Sequence, residues 1–283
     1  MSEYKLGEEN LDEQMTDSSN KESFLKKNKM ILIIIIIIFL ILITLLIILL
    51  LSNKTEEDKK DNNDSTIPTP IYINPKDNYT HCIIYLHGLD NKPENFIDLF
   101  TKDIILNNIN NTKIILLRAP KMIMTYNKEN LTSWFDILSF PLDSKNTYNF
   151  EDVKKSSNTL RNIIEQEAKI LGDYQKIYIG GHSQGAIVSL YTGYNFEKLI
   201  GGVIVCSGFL VEQGEIVGNK NNLNVYLGHG DKDQAIPLEY HKETIKRIEK
   251  YDGVKKYYYE GHGHAIITEE KKDIEDFLNK LII

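Results

Sequence analysis

The sequence has little of what a disulfide-stapled, zinc-knuckle or nucleic-acid-binding protein needs. Its two cysteines, Cys82 and Cys206, are too few for a disulfide framework or a structural zinc site, and both fall within apolar runs that read as buried strands. Basic residues number 33 against 40 acidic ones, so no positive stripe is on offer to phosphate backbones and nucleic acid is not expected as a partner. Position 2 is Ser2, where myristoylation would require glycine, and no cysteine precedes Cys82 to accept an acyl chain near the amino terminus. Asparagine, isoleucine and lysine are plentiful throughout, so local asparagine-rich patches carry little weight.

The chain does hold one long apolar run. Met30 to Leu51 is 22 consecutive uncharged residues with six isoleucines in a row, Ile33 to Ile38, and Thr44 as its only polar member. As a helix it would span about 33 Å, enough for a hydrocarbon core of roughly 30 Å. A cleaved signal peptide would have a shorter apolar stretch and a small-residue cleavage site, whereas this run ends in Leu50, Leu51, Ser52, Asn53 and Lys54. A retained transmembrane anchor over 30–51 is expected, preceded by a polar, disordered tail over 1–29. From Ser52 to Pro70 the chain is charged, asparagine-rich and closed by two prolines, a composition that cannot bury a core and reads as a flexible linker with an end-to-end distance on the order of 25 Å.

From Ile71 to Ile283 short β-rich runs alternate with longer amphipathic ones. Strands are expected at Cys82 to Leu86, Lys113 to Leu117, Lys176 to Ile179, Gly202 to Cys206, Asn224 to Leu227 and Lys255 to Tyr259. Helices are expected at Glu151 to Leu171, Gln184 to Tyr194, Leu238 to Tyr251 and Thr268 to Leu281. Such alternation predicts an α/β domain, a mainly parallel sheet with helices on both faces, whose chemistry lies on loops at the carboxyl ends of the strands.

The strongest local signal is Ile179-Gly180-Gly181-His182-Ser183-Gln184-Gly185, a strand running into a G-x-S-x-G turn and out as a helix. The glycines are required because strand and helix backbones approach closely around a nucleophile held on a sharp turn. A serine hydroxyl needs an imidazole to take its proton and a carboxylate to fix the imidazole's tautomer, and in this architecture they follow in the order acid, then histidine. Asp231 and Asp233 compete for the acid, and the spacing to Ile236 and Pro237 favours Asp233. His262 and His264 compete for the base; His264, between glycine and alanine ahead of the last helix, suits a ring projecting from a short loop. The two histidines lack a third ligand at metal spacing, so a zinc site is not expected. An oxyanion site needs two backbone N–H groups, one from Gln184 and one from Leu89 in the loop after the first core strand. His87 and Gly88 read as supports for that loop.

These residues resemble the acyl-protein thioesterases, the phospholipase/carboxylesterase family of α/β-hydrolases. The resemblance runs through Leu86-His87-Gly88-Leu89, Arg118-Ala119-Pro120, Ser133-Trp134-Phe135-Asp136, the Ser183 turn, His229-Gly230-Asp231-Lys232-Asp233 and Gly261-His262-Gly263-His264. It implies an α/β-hydrolase domain over 71–283 with Ser183, Asp233 and His264 as the triad, Leu89 and Gln184 at the oxyanion site, and no cofactor. It also implies hydrolysis of fatty-acyl thioesters on lipid-modified proteins, or alternatively of lysophospholipid and small oxygen esters; a non-catalytic acyl-binding scaffold is the remaining alternative. In the family the region corresponding to Met122–Leu142 helps to build the acyl groove, which makes Met122, Met124, Trp134 and Phe135 candidate substrate contacts, although plain core packing is the better reading of the two aromatics. Two departures stand out. The family usually places Gly-Asp after His-Gly-Leu, where this chain has Asp90-Asn91, and it is typically soluble, where this chain carries its own apolar run.

Lys26, Lys27 and Lys29 precede that run and Lys54 alone directly follows it, which by the positive-inside tendency places the hydrolase domain in the lumen or outside the cell, as a single-pass type II protein. Five N-x-[ST] sequons, at Asn53, Asn63, Asn78, Asn110 and Asn130, all follow the run. The family's cytosolic substrates argue for the opposite orientation.

Overall fold

The computed structural model describes residues 43–44, 68–75 and 78–283. The expected tail over 1–29 lies outside the described residues, as do the expected anchor and linker apart from 43–44, which are helical, and 68–70. Among the described residues no helix is long and apolar enough to cross a membrane.

Among the described residues seven strands form the main sheet and two more form a small hairpin. The strands are β1 (Ile71–Ile73), β2 (His81–Leu86), β3 (Thr112–Leu117), β6 (Ile177–His182), β7 (Gly202–Cys206), β8 (Asn224–Gly230) and β9 (Val254–Tyr259), with β4 (Lys121–Ile123) and β5 (Asn130–Thr132) in the hairpin. Across the main sheet their order is β1-β3-β2-β6-β7-β8-β9. Only β1 runs antiparallel within the main sheet; all other neighbours pair in parallel. The central strands are apolar on both faces because both faces are covered, as parallel sheets require.

On one face Cys82, Ile84 and Leu86 pack under α1 (Phe150–Leu171), α2 (Gln184–Asn195) and α3 (Leu238–Ile248). On the other face Ile83 and Tyr85 pack against the 93–106 segment and α4 (Thr268–Leu281). Helix α1 starts at Asn149, whose side chain accepts the Glu151 and Asp152 N–H groups, and stops at Gly172, whose φ of 71° is the left-handed cap glycine favours. Almost every residue of α2 is buried, so this helix reads as uniformly apolar rather than two-sided. The exposed edge of β9 carries Lys255 and Lys256, charges that discourage pairing with another chain.

The six expected strands and four expected helices are all present, Gly202–Cys206 and Thr268–Leu281 with the expected bounds and the others with one or both ends shifted by at most three residues. The additional elements are short ones: the edge strand β1, the two strands of the β4–β5 hairpin and the helical turns at Pro93–Phe96, Leu99–Asp103, Ile109–Asn111 and Tyr174–Lys176. Cys82 and Cys206 are buried free thiols on β2 and β7.

Candidate active site

Four segments following the carboxyl ends of β2, β6, β8 and β9 converge on one cleft. Ser183 directly follows β6 with φ 57° and ψ −121°, a conformation that costs an L-residue roughly 1–3 kcal/mol and persists only where surroundings enforce it. The Ser183 N–H donates to the Cys206 carbonyl at 2.9 Å, and its own carbonyl accepts from Ile187 at 3.1 Å. The flanking glycines are sterically obligatory: a Cβ on Gly181 would lie 2.4 Å from the Gly185 carbonyl carbon, and one on Gly185 would lie 2.2 Å from the Leu86 oxygen. A Cβ on Gly88 would meet that of Ser183 at 3.2 Å, so the β2 loop lies directly against the serine.

His264 Nδ1–H donates to Asp233 Oδ2 at 2.6 Å. The other carboxylate oxygen, Oδ1, accepts the Ala235 and Ile236 N–H groups, each at 2.9 Å, so a tight turn holds the acid. Burial alone would raise the Asp233 carboxyl, but the hydrogen bond and charge of His264, with the Ile236 N–H, outweigh it and leave it below the ordinary carboxylate value.

The competing residues have other partners. Asp231 Oδ1 accepts the Gly261 N–H at 2.7 Å, tying the acid loop to the histidine loop. His262 has an exposed side chain, and its carbonyl accepts the Lys232 N–H at 2.8 Å.

The cleft, about 230 Å³, is lined by Gly88, Leu89, Asn91, Ile137, Phe140, Leu142, His182, Ser183, Ala235 and His264. It brings together the expected nucleophile, the expected base and the expected oxyanion residue Leu89. Gln184 is the first residue of α2, where a backbone N–H has no intrahelical acceptor. Asp90 N–H donates to the Thr132 carbonyl at 2.8 Å and Asn91 N–H to the Gly88 carbonyl at 3.3 Å, closing a turn in which Asp90 takes φ 49°. The position where the family usually has glycine thus keeps a left-handed backbone, which aspartate tolerates better than most residues.

His87 is buried with Nδ1–H on the Gly88 carbonyl at 2.7 Å and Nε2 accepting the Ala119 N–H at 3.0 Å. With both nitrogens engaged and burial holding its pKa below the ordinary histidine value, it is a neutral support of the loop. His182 lines the cleft with its ring 4.8 Å from that of His264 and its Nε2 unpartnered; burial, then His264, push its pKa down to about 3.

The four expected substrate contacts do not line this cleft. Met124, Trp134 and Phe135 are buried in the core, and Met122 packs half-buried against it. Trp134 Nε1–H donates to the His87 carbonyl at 2.7 Å, so the tryptophan braces the β2 loop from beneath. The apolar wall comes instead from Ile137, Phe140 and Leu142, later in the same segment. Of these only Phe140 is exposed, while Ile137 and Leu142 are buried behind it, because the chain leaves the hairpin and returns along the cleft, a path that residue pattern alone does not reveal.

A family model described as Phospholipase/Carboxylesterase matches residues 68–282. Acyl-protein thioesterase 1 of Debaryomyces hansenii is 31% identical over 213 residues, covering 71% of this chain and 90% of that protein. Acyl-protein thioesterase 1 of Yarrowia lipolytica is 29% identical over 220 residues, covering 75% and 96%. The crystal structure of Arabidopsis thaliana SOBER1 shares the fold, with a TM-score of 0.66 at 22% identity over 72% of this chain and 99% of that one. With the serine on its strained turn and the family model spanning the whole sheet, the chain belongs to the phospholipase/carboxylesterase family and is a serine hydrolase.

Proposed function

We propose that this protein is a membrane-anchored acyl-protein thioesterase working through an acyl-enzyme. Ser183 Oγ attacks the thioester carbonyl while His264 Nε2 takes its proton, and Asp233 holds the Nδ1–H tautomer that leaves Nε2 free. The Leu89 and Gln184 N–H groups receive the developing oxyanion. Collapse breaks the C–S bond, the thiolate leaves with the proton from His264, and water repeats the sequence to release the fatty acid.

The observation that carries this reading is an apolar cleft with Ser183 and the Asp233-bound His264 in its lining. The relatives' names supply the substrate class. A carboxylesterase acting on oxygen esters is the second reading, favoured by a cleft smaller than the roughly 300–1,000 Å³ usual for ligand sites. Anchoring by residues 30–51 and a lumenal or extracellular domain belong to the same proposal, supported by the apolar run, the flanking lysines and exposed sequon asparagines at Asn78, Asn110 and Asn130.

Turnover of a palmitoyl thioester is expected to exceed that of a lysophospholipid or a short oxygen ester; the reverse order would favour the carboxylesterase reading. Ser183→Ala is expected to abolish both hydrolysis and fluorophosphonate labelling with folding intact, and an unlabelled wild-type protein would leave only a scaffold. Glycan removal from the membrane-derived protein should increase its mobility, and the domain should resist protease added to sealed vesicles. A domain with no shift that is degraded from the cytosolic side would reverse the orientation.

A further inference from the structure

Behind the acid lies a second pair of histidines that the reaction scheme does not use. His229, near the end of β8, and His241, on α3, are completely buried, with ring centroids 4.7 Å apart. His229 Nε2 lies 2.8 Å from the Ile236 carbonyl and 3.5 Å from Asp233 Oδ2, the oxygen that His264 uses. A carbonyl only accepts, so the proton sits on Nε2, leaving Nδ1 as a bare lone pair with no partner. Neither ring nitrogen of His241 has a hydrogen-bond partner either.

The Ile236 peptide closes this arrangement, since its N–H holds Asp233 Oδ1 at 2.9 Å while its carbonyl is held by His229. Asp233 Oδ1 therefore has two backbone donors, and Oδ2 has the strong bond to His264 with the His229 N–H beside it. We propose that His229 is a positioning residue for the acid of the triad: a neutral, Nε2-protonated imidazole, backed by His241, that locks the 233–236 turn and keeps Oδ2 on the His264 ring. This rests on the triad reading above.

Neutrality is essential to the role. A cationic His229 would pair with Asp233 directly and compete with His264 for the charge that must stabilise the imidazolium formed during the reaction. The groups facing His229 and His241 are Asp233, the Ile236 carbonyl, His264 from the loop after β9, the Gly208 backbone, which favours the charged form of His241 but is outweighed by burial, and Tyr258 of β9, whose ring meets His241 edge-on at 5.6 Å. Burial lowers the pKa of His229, and burial followed by His229 pushes that of His241 down to about 3. Two buried imidazoles in contact disfavour protonation of either, so the pair supplies a donor without supplying a charge.

The test begins with the full wild-type chain, ¹⁵N-labelled at histidine. Its His229 is expected to be neutral and Nε2-protonated at neutral pH and still so at pH 6.5, where an ordinary histidine is half charged. A cationic ring near neutral pH, or the Nδ1–H tautomer, would overturn the proposal without needing any variant. His229→Gln, which keeps an N–H donor, should retain kcat within about threefold, while His229→Phe should lower kcat about 10- to 100-fold at little-changed KM. His229→Phe should also shift the acid limb of the kcat/KM profile and weaken the downfield proton signal of the His264–Asp233 bond. A folded His229→Phe protein with wild-type kcat and pH profile would overturn the assignment. Fluorophosphonate labelling of Ser183 in the same preparation judges the triad separately, because it reports the nucleophile and not the His229 tautomer.

Discussion

The side chain of Gln184 clasps Ser133 across the buried floor of the site. Its Nε2 donates to the Ser133 hydroxyl at 2.9 Å and to the Phe135 carbonyl at 2.9 Å, while its Oε1 accepts the Trp134 N–H at 3.2 Å. The Ser133 hydroxyl in turn donates to the Phe135 carbonyl at 2.7 Å. The residue after the nucleophile thereby ties the Ser183 turn to the Ser133–Asp136 segment, and Trp134 passes the connection to the β2 loop through the His87 carbonyl.

Gln184→Ala keeps the backbone N–H of the proposed oxyanion site but orphans the buried Trp134 N–H, takes one of two donors from the Phe135 carbonyl and leaves a small cavity. An orphaned buried donor costs about 1–3 kcal/mol. The variant is expected to lose about 2–4 kcal/mol of stability in urea unfolding, with a smaller loss of kcat than Ser183→Ala. An unchanged midpoint would show that water replaces the amide.

Asp231 and Asp233, two positions apart in the chain, can be told apart by kinetics. Asp233→Asn is expected to lower kcat by about 10³- to 10⁴-fold, because the amide no longer fixes the tautomer of His264. Asp231→Asn should cost only about 3- to 10-fold, since its bond to the Gly261 N–H positions the histidine loop without touching the ring. Reversed effects would move the acid to Asp231.

Much of this architecture was legible in the sequence, for identifiable reasons. Strands such as Ile83–Leu86 and Val203–Cys206 are apolar on both faces, and the glycines around Ser183 mark contacts that no side chain could survive. Strand β1 escaped because three residues are too few to show a period, and it is held by pairing with β3 rather than by pattern. The hairpin escaped because its turn, Met124 to Glu129, is rich in polar residues and its strands are short and half-exposed. The cleft wall escaped for a different reason. Met124 and Phe140 are both apolar, but one is fully buried while the other stands at the cleft with its ring against Tyr126 at 4.8 Å, and only tertiary path decides which. The acid-then-histidine order picks out His264, but it says nothing of the contact that a histidine ahead of Asp233, His229, makes behind the acid.

Asp90 offers a direct check on the loop that departs from the family. Its φ of 49° is a conformation glycine adopts at no steric cost. Asp90→Gly is expected to stabilise the protein by up to about 1 kcal/mol, with kcat within about twofold of wild type. A fall in kcat would show that the Asp90 side chain itself orders the proposed oxyanion donor at Leu89. A loss of stability would mean that the extra chain entropy of glycine outweighs the relieved backbone.

Glu270 should make stability depend on pH in the direction opposite to a surface carboxylate. It is buried on α4 with Oε1 unpartnered, and a Cβ on Gly228 would come within 2.3 Å of that oxygen, so the carboxyl is wedged against β8. Burial pushes its pKa up to about 7. The folded state therefore holds a proton that the unfolded chain releases near its ordinary value of 4.5. Between these two values the unfolded state binds fewer protons, so stability falls as pH rises, and the favourable contribution present below about pH 4.5 is gone above about pH 7. The shift corresponds to a change on the order of 3 kcal/mol. Glu270→Gln cannot ionise and should remove this slope, leaving the variant more stable than wild type at about pH 8 and similar to it at about pH 5. Urea unfolding of both proteins across that range measures it, and parallel stability curves would show that Glu270 stays charged when buried. Because the Cys206 carbonyl holds the Ser183 N–H while Cys206 itself packs beside Glu270, kcat measured over the same range would show whether the charge reaches the nucleophile turn.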